Sequence, residues 1–464
     1  MEGEKQKISN DNYQQKDRAE PEEYVGVQTS MWITENNLTS LVHTGDVSLE
    51  QIFSLPNLNR AYKRVRTNSG SGGIDGMQVG SLKDYLIKEG NALQSSILSG
   101  QYRPNPVRRV EIPKEGGKRL LGIPTVVDRV IQQCVTQTLV PIYENQFSNY
   151  SYGFRPGRSA HQALEQCVSF LNDGFSHTVD IDLEKFFDTV NQSKLIEVLS
   201  RTIKDGRMIS LIHKYLRSGV IVAGKFEQTN LGVPQGGPLS PLLSNIMLNE
   251  LDKELTKRGH RFVRYADDLV IFCRSIRGAK RTMASTVRFI REKLFLGVNV
   301  EKSKVEYARN AKFLGYSFYK TKGQWRLRLH SKSASRMKSR LKTLTSRSNG
   351  WSNEGRKEKL KQFVTGWIGY FKFADMKSLL SQTDEWLRRR LRMVIWKQWK
   401  LVRTRIANLV KLGIKRASAF QSSNTRKSMW RTSNSPILKS ALTSKRLEAA
   451  GYPSLAKSYS DVRN

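Results

Sequence analysis

Two adjacent carboxylates inside an apolar, strand-forming run are the feature that most constrains the fold of this chain. Asp267 and Asp268 interrupt residues 264–272, R-Y-A-D-D-L-V-I-F, whose later positions are apolar and mostly β-branched or aromatic. Such residues favour buried strands, so the two acids are predicted to lie at the turn of a short β-hairpin. Two carboxylates this close repel each other, and a divalent cation is the natural compensating charge. The run therefore predicts a metal site at a hairpin tip.

A second acidic stretch, residues 179–188, is predicted to complete that site. Asp180 and Asp182 alternate with apolar residues, which places both carboxylates on one face of a strand that ends near Lys185. A site with two metal ions needs carboxylates from separate elements, because the ions lie roughly 3.5–4 Å apart. The pattern alone leaves either acid as the candidate. Just beyond this strand, the ring of Phe187 is expected to crowd a 2′-hydroxyl and so to favour deoxynucleotides.

Two other segments carry candidate nucleotide-binding groups. Residues 102–124 have the pattern of a proline-interrupted edge strand and a return strand around a glycine turn. Lys114 and Arg119 on this hairpin are suited to a triphosphate, although a solvated basic hairpin explains them equally well. In the Pro/Gly-rich turn at residues 231–241, Gln235 is either a nucleotide or template contact or an amide that caps the turn.

Composition points to a polyanionic partner. The 464 residues include 78 Lys and Arg against 41 Asp and Glu, a formal charge of +37. Nucleic acid is the leading candidate and an anionic membrane surface the second. No apolar run approaches the roughly 18 residues of a membrane span, and a cytoplasmic protein is expected. The three cysteines, Cys134, Cys167 and Cys273, are far apart and are predicted to be small buried residues rather than disulfide or zinc ligands.

The charge is concentrated in the last third of the chain. Residues 1–50 hold 4 Lys and Arg against 10 Asp and Glu, whereas residues 321–464 hold 34 against 7 and contain seven of the eight tryptophans. Helices are predicted at 331–345 and 384–403, each with an apolar side and a basic side. Charge runs are usually solvated faces, but basic and aromatic groups together suit RNA. The candidate RNA-binding residues are Arg336, Lys338, Arg340, Arg388, Arg389, Arg390, Lys397 and Lys400.

With these motifs in this order, the chain resembles group II intron reverse transcriptases, also called intron maturases. The resemblance covers about residues 50–415, and its style is most similar to the bacterial class C subgroup. It is carried by I-P-K-E-G-G-K-R-L-L-G-I-P-T-V-V-D-R at 112–129, Y-G-F-R-P-G-R-S-A at 152–160, D-I-D-L-E-K-F-F-D-T-V-N at 180–191, G-V-P-Q-G-G-P-L-S-P at 232–241 and F-V-R-Y-A-D-D at 262–268.

The resemblance implies a role for each of several residues in the site. The register of its motif favours Asp182 over Asp180 as the first acid. Two Mg²⁺ ions would be held by Asp182, Leu183, Asp267 and Asp268, the three aspartates being catalytic. The nucleotide would contact Lys114, Arg119, Phe187, Gln235 and Lys302.

The implied architecture is α+β. It comprises right-hand polymerase fingers and palm, built from an antiparallel sheet with packed helices, and an all-α thumb or maturase domain. The expected divisions are an acidic, partly disordered extension at 1–47, fingers and palm at 48–325, thumb and domain X at 326–415, and a basic nucleic-acid-binding segment at 416–464. The implied partners are the parent intron RNA, an RNA template with a DNA primer, deoxynucleotides and target DNA, in a bacterial, nucleoid-associated protein.

Two departures from the family pattern shape the remaining expectations. Gln192 replaces a common histidine, which is read as peripheral to the chemistry. No Cys-pair and His/Asn cluster follows residue 415, so single-stranded or open DNA is the expected target. The alternatives are an RNA-templated RNA polymerase, against which Phe187 speaks, a splicing cofactor whose polymerase site is not essential, and a free-standing defence or retron-type enzyme.

Overall fold

The computed structural model describes residues 47–114 and 117–463, without the side chains of Lys114 and Arg119. The predicted acidic extension at 1–47 therefore lies almost wholly outside the described residues. The first described segment is helical with a two-stranded hairpin. Its elements are α1 (Leu49–Ile52), α2 (Leu55–Asn68), α3 (Leu82–Leu98), β1 (Val107–Lys114), β2 (Gly117–Ile123) and α4 (Val126–Glu144).

The middle of the chain alternates helices with short strands. Its elements are α5 (Ala160–Asn172), β3 (His177–Ile181), α6 (Phe186–Thr189), α7 (Gln192–Ser200), α8 (Gly206–Leu216), β4 (Val220–Val222), β5 (Lys225–Glu227), α9 (Ser240–Lys257), β6 (Arg261–Tyr265), β7 (Asp268–Cys273), α10 (Ile276–Lys293) and β8 (Lys304–Tyr307).

Two four-stranded sheets organise this part of the chain. The first has the order β2-β1-β4-β5, and the second has the order β6-β7-β3-β8. All neighbouring strands of the second sheet are antiparallel. On one face of its β3 strand, Val179 and Ile181 are buried in a cluster that also contains Ala279 and Ile290 of α10. Because side chains alternate along a strand, Asp180 and the following Asp182 belong to the opposite face.

The last part of the chain is a small sheet followed by helices. Its elements are β9 (Lys312–Phe313), β10 (Tyr316–Thr321), β11 (Gln324–Leu329), α11 (Ser331–Leu344), α12 (Asn353–Phe371), α13 (Lys377–Gln398), α14 (Val402–Lys411), α15 (Arg416–Ser423), α16 (Met429–Thr432), α17 (Pro436–Ala441), α18 (Ser444–Ala449) and α19 (Leu455–Arg463). With the sheets above, this confirms the α+β class with a helical region after the palm-like sheet. A single helix is predicted at 384–403. In the structure, α13 begins earlier, at Lys377, and ends at Gln398, and a separate helix, α14, begins at Val402.

Residues 416–463 pack on the preceding helices. One apolar cluster joins Leu387 and Leu391 of α13 to Leu455 and Tyr459 of α19. Asp384 caps the start of α19, because its carboxylate accepts hydrogen bonds from the Leu455 and Ala456 amides at 2.9 and 2.8 Å. The basic C-terminal segment is therefore held against the thumb-like helices by both apolar and polar contacts.

The three cysteines are buried and unpaired, as predicted. None of the helices in the described part of the chain has both the length and the apolar composition required to cross a bilayer.

Candidate active site

The two adjacent acids lie at a hairpin tip, as predicted. Strands β6 and β7 pair antiparallel, with Tyr265 opposite Asp268 at the end of the ladder. Ala266, the first turn residue, has φ = +57°. Two-residue hairpin turns of this kind need positive φ, which a residue with a β-carbon adopts at a cost. The turn therefore depends on contacts that hold it, and it carries Asp267 half-buried and Asp268 exposed.

The register of β3 against β7 brings the third acid to the same place. Asp180 pairs with Val270 and Ile181 with Leu269, so the next positions in this register are Asp182 and Asp268. Strand β3 itself ends at Ile181, earlier than the predicted end near Lys185.

The backbone of Asp182 is held by the loop before β8. Its amide donates to Ser303 Oγ at 3.1 Å, and its carbonyl accepts from the Asn299 amide at 2.9 Å. Lys302, in the same loop, places Nζ 3.8 Å from Asp182 Oδ2, with its side chain 69% exposed. A long, exposed ion pair of this kind contributes little stability, so the Asp182 carboxylate remains available to a ligand.

One open cleft collects most of the predicted site. Its volume is about 890 Å³. The predicted residues that line it are Asp182, Leu183, Phe187, Gln235, Asp267, Asp268 and Lys302. Residues from α6, from the turn before α9, from the hairpin tip and from the loop before β8 therefore meet at one surface.

The acids of this cleft have the chemistry of a magnesium site. Carboxylate oxygens from separate elements are the ligands that Mg²⁺ takes in phosphoryl-transfer proteins. Within residues 47–114 and 117–463, no three Asp, Glu, His or Cys side chains are gathered closely enough to hold an ion as they stand. Asp182, Asp267 and Asp268 thus have the right ligand atoms and line the same cleft. Their carboxylates have to move closer to one another to coordinate the ions.

Asp180, the competing first acid, does not line this cleft. It lines a second cavity of about 960 Å³ between the sheet and α11 and α12, which also borders Asp182 and Asp268. Burial, and then the neighbouring carboxylates of Asp268 and Glu306, raise the pKa of Asp180 to about 7. Asp180 does not line the cleft that holds Asp267, so the geometry favours Asp182.

Backbone hydrogen bonds and a close contact at a glycine hold the segments that carry Phe187 and Gln235. The Val233 amide donates to the Phe187 carbonyl at 2.6 Å, and the Gly122 amide of β2 donates to the Gln235 carbonyl at 2.6 Å. At Gly232, φ is +87° and a β-carbon would lie 2.7 Å from the Phe187 carbonyl, so only glycine fits there. The Pro/Gly-rich turn therefore links the fingers-like hairpin to α6.

The basic hairpin reaches the cleft through residues that the sequence reasoning missed. Strands β1 and β2 pair as predicted, but the edge-strand prediction for β1 is wrong, because Val107 and Arg108 also pair with β4. The side chains of Lys114 and Arg119 lie outside the described structure. Arg109 and Lys118 of the same two strands line the cleft. Arg109 Nη2 lies 3.3 Å from Asp188 Oδ1, which joins the hairpin to α6. The alternation of side chains along a strand was the available signal, because it separates the residues of the hairpin that share one face from those on the other.

Arg264 is a third missed residue, and its charge is fully buried. Its side chain is 1% exposed and pairs with Asp252 of α9, which is 0% exposed. Arg264 Nε donates to Asp252 Oδ1 at 2.8 Å, and Nη2 donates to Oδ2 at 2.5 Å. Planar, two-point contacts of this kind are what guanidinium provides and ammonium does not. A charged residue inside an apolar strand was the available signal.

The remaining nitrogen of Arg264 holds the acidic turn. Nη1 donates to the Ala266 carbonyl and to Asn245 Oδ1, both at 2.9 Å. Asn245 Nδ2 in turn donates to the Gly153 carbonyl at 2.8 Å. A β-carbon on Gly153 would lie 2.2 Å from the Ala266 amide nitrogen, so the 150–153 loop packs directly on the turn. Arg264, Asn245 and Asp252, here called the turn anchor, therefore support the positive φ of Ala266.

Part of the predicted RNA surface is solvent-facing. Arg336 and Arg340 of α11 line the cavity between sheet and helices, beside Trp367 and Tyr370. Lys338 on α11 and Lys400 after α13 are also exposed. These cations are open to a polyanion.

The other predicted RNA-binding residues make contacts within the fold; Arg388 is buried, which argues against it as an RNA contact, and the remaining three are half-buried. Arg388 is 3% exposed and pairs with Glu448 of α18 at 2.9 Å. Arg389 lies 3.9 Å over the Trp430 ring. Arg390 Nε donates to Thr345 Oγ1 at 2.6 Å, and Lys397 Nζ donates to the Arg347 carbonyl at 2.7 Å. The basic side assigned to this helix is partly covered by α11 and by the C-terminal helices, which a single helix pattern does not reveal.

The fold and site together define a class. An antiparallel sheet that presents an aspartate at one strand end and a pair at the adjacent hairpin tip, with a fingers-like hairpin before it and helices after it, is the palm of a template-directed polymerase.

Comparisons with known proteins extend this class to a family. Residues 112–318 match reverse transcriptase (RNA-dependent DNA polymerase), and residues 334–413 match the group II intron maturase-specific domain. Protein YkfC of Escherichia coli is 34% identical over 54% of this chain and 77% of its own length. Group II intron-encoded protein LtrA of Lactococcus lactis is 37% identical over 45% of this chain, and the putative COX1/OXI3 intron 2 protein of Saccharomyces cerevisiae is 29% identical over 61%.

The chain belongs to the group II intron reverse transcriptase and maturase family. It contains the reverse transcriptase domain and the maturase-specific domain of that family in the same order. The aligned region spans 35% of the length of the Lactococcus protein and 40% of the yeast protein.

Proposed function

We propose that this protein is an RNA-directed DNA polymerase that also binds its parent group II intron RNA, assists its splicing and copies it into DNA during retrohoming. The observation that carries the proposal is the meeting of Asp182, Asp267 and Asp268 with Phe187 at one cleft of about 890 Å³. The maturase-specific match at residues 334–413 of the same chain supports the intron as the RNA partner.

The residues of the cleft would divide the work of nucleotide addition. Asp182, Leu183, Asp267 and Asp268 would hold two Mg²⁺ ions, which when bound supply Lewis-acid activation of the primer 3′-hydroxyl and charge stabilisation of the pyrophosphate. Phe187 would exclude a 2′-hydroxyl, and Gln235 would border the base or template. Lys114, Arg119 and Lys302 would contact the nucleotide, their positive charge offsetting that of the triphosphate.

The surrounding parts would hold the nucleic acids. We assign 48–325 to fingers and palm, 326–415 to the thumb and domain X, and 416–464 to a basic nucleic-acid-binding segment. Exposed Arg336, Lys338, Arg340 and Lys400 would contact RNA phosphates. The target DNA would be single-stranded or open. The protein would act in the bacterial cytoplasm, near the nucleoid.

A double substitution, Asp267→Asn with Asp268→Asn, tests the site. It is expected to abolish primer extension on an RNA template, because neutral amides do not hold the metal charge, while RNA binding and splicing assistance persist. A matched control, Glu254→Gln with Glu292→Gln, removes two acids remote from the cleft and should extend normally. Extension by the Asp267 and Asp268 variant at the control's rate would refute the assignment.

A further inference from the structure

Helix α10 carries a row of arginines on the face of the palm sheet opposite the cleft. Its buried residues Ala279 and Ile290 pack in the same cluster as Val179 and Ile181 of β3. Asp182 and the cleft belong to the other side of that strand. Whatever contacts the outer side of α10 is therefore separated from the catalytic cleft by the thickness of the sheet.

The outer side of this helix is strongly basic. Its exposed cations are Arg277, Lys280, Arg281, Arg288, Arg291 and Lys293, and Glu292 is the exposed acid among them. Within the described part of the chain, none of the six cations makes an ion pair or a side-chain hydrogen bond. Like charges three or four positions apart on a helix repel each other. Only Arg291 and Lys293, in the last turn, gain from the helix dipole. The rest of this charge does not stabilise the helix, which indicates a use outside the fold.

The four arginines form one stripe. Arg277, Arg281, Arg288 and Arg291 are spaced by four, seven and three residues, which keeps them on one side of a helix. At 1.5 Å rise per residue the stripe extends over about 21 Å. Guanidinium groups in a line of this length match successive phosphates of one nucleic-acid strand, which they contact in two-point fashion.

An exposed aromatic ring follows the end of the helix. Phe295, four residues beyond Arg291, is 57% exposed and has φ = +55°. The residue after a helix end is usually glycine in this conformation, because a β-carbon disfavours it. Leu296 closes the helix by donating from its amide to the Ile290 carbonyl at 3.1 Å. A strained, solvent-facing phenylalanine serves neither folding nor core packing, and it is suited to stacking on an unpaired base.

We propose that Arg277, Arg281, Arg288, Arg291 and Phe295, here called the outer row, form a second RNA-binding surface that takes an unpaired segment of folded RNA. The arginines contact its phosphates and the ring stacks on one of its bases. This inference rests on the proposed function for its RNA partner, since folded RNA presents unpaired loops beside its helices. The position of the row allows it to hold the intron while the cleft holds template and primer.

Binding of a labelled RNA hairpin with an unpaired adenine loop tests the proposal. Fluorescence anisotropy is recorded across a potassium chloride titration, with an excess of unlabelled template–primer duplex filling the cleft. R281Q/R288Q should bind about tenfold more weakly and lower the salt slope by about 1.4, at roughly 0.7 for each lost phosphate contact. R281K/R288K should recover most of that slope. The matched control K88Q/K204Q, which removes two exposed cations of the fingers-like region and palm, should stay within about twofold of the wild type.

Phe295→Gly separates binding from folding. Glycine relieves the positive φ, so the melting temperature should be equal to or higher than that of the wild type. Affinity for the looped hairpin should nevertheless fall about tenfold through the lost stacking, whereas affinity for a fully paired RNA duplex should hardly change. Unchanged affinity for the loop would overturn the role of the ring.

Two further outcomes overturn the outer row as a whole. One is equal weakening by R281Q/R288Q and K88Q/K204Q, which would mean non-specific attraction by the net charge. The other is a loss of primer extension that parallels the loss of hairpin binding, which would assign these arginines to the cleft. The proposed function fails differently, through absence of extension by the wild-type protein on a short template–primer.

Discussion

The buried guanidinium of Arg264 donates a hydrogen bond to the carbonyl of Ala266 at 2.9 Å. Ala266 precedes the two acids of the hairpin tip and has positive φ. A charged group with no access to water thus supports the backbone that presents Asp267 and Asp268. Because Asp252 and Asn245 hold the same guanidinium, the geometry of the acids depends on residues of α9 that touch no substrate.

Arg264→Lys should uncouple the hairpin tip from α9. Lysine keeps the charge but cannot donate to Asp252, Asn245 and Ala266 at once. We expect the kcat of primer extension to fall at least tenfold, with KM for template–primer within about twofold of the wild type. Breaking buried ion-pair geometry costs up to about 3–5 kcal/mol, so the melting temperature should fall as well. Steady-state kinetics below that melting transition check the prediction.

Gly153→Ala provides a control that leaves every charge in place. Its β-carbon would lie 2.2 Å from the Ala266 amide, so the same turn has to move. If the turn position matters, this variant should share the kcat defect and keep hairpin RNA affinity. Normal kcat in both variants would mean that the turn anchor has a purely structural role.

The asparagine variants of Asp182 and Asp180 should differ clearly in their rates of primer extension. Asp182→Asn should reduce extension by at least about 100-fold, because Asp182 shares a cleft with Asp267 and Asp268. Asp180→Asn should retain extension within about tenfold. Single-turnover extension at saturating Mg²⁺ distinguishes the two, and the reverse ranking would move the first metal ligand to Asp180.

Asp180→Asn should also change the pH dependence of stability. The pKa of Asp180 in the fold is about 7, above its ordinary value of 3.8. The neutral acid is therefore favoured in the fold, and the stability it contributes is full below about pH 4 and is lost as pH rises through 7. In metal-free buffer, the melting temperature of the variant should gain on the wild type between pH 5 and 8. A constant difference would contradict the raised pKa.

Phe187→Val should relax the choice of sugar. The smaller side chain leaves room for a 2′-hydroxyl beside the acids, so ribonucleotide incorporation relative to deoxynucleotide should rise at least about tenfold. Phe187 is 8% exposed, and its shortening also costs about 1–3 kcal/mol of packing. The ratio of kcat/KM for the two nucleotides is independent of that loss. An unchanged ratio would remove Phe187 from the nucleotide site.

Arg388→Ala should destabilise the fold and leave the salt dependence of RNA binding unchanged. Arg388 is buried against Glu448, so its loss costs about 1.5–3 kcal/mol. Arg340→Gln, on the exposed side of α11, should do the opposite and lower the salt slope by about 0.7–0.9. Thermal melting and a salt titration of RNA affinity check both variants. A lower salt slope of RNA affinity for Arg388→Ala would mean that Arg388 does contact RNA.

The sequence by itself determined the parts of this protein that depend on local pattern. Paired acids inside a β-prone run specify a hairpin tip, the alternation that begins at Val179 specifies a strand although not its end, and the order of the motifs specifies the family. These features are local because the alternation of side chains and the chemistry of turns are properties of neighbouring residues.

Only the tertiary structure decided which groups meet. The approach of Asp182 to the hairpin tip follows from the register of β3 against β7, the contacts of Arg264 from its burial between α9 and the turn, and the engagement of Arg388 from the packing of α18. Each is a contact between residues distant in sequence, and neither charge nor periodicity reveals whether a cation faces water or a partner inside the fold. Burial alone makes that distinction, because it depends on how separate elements pack.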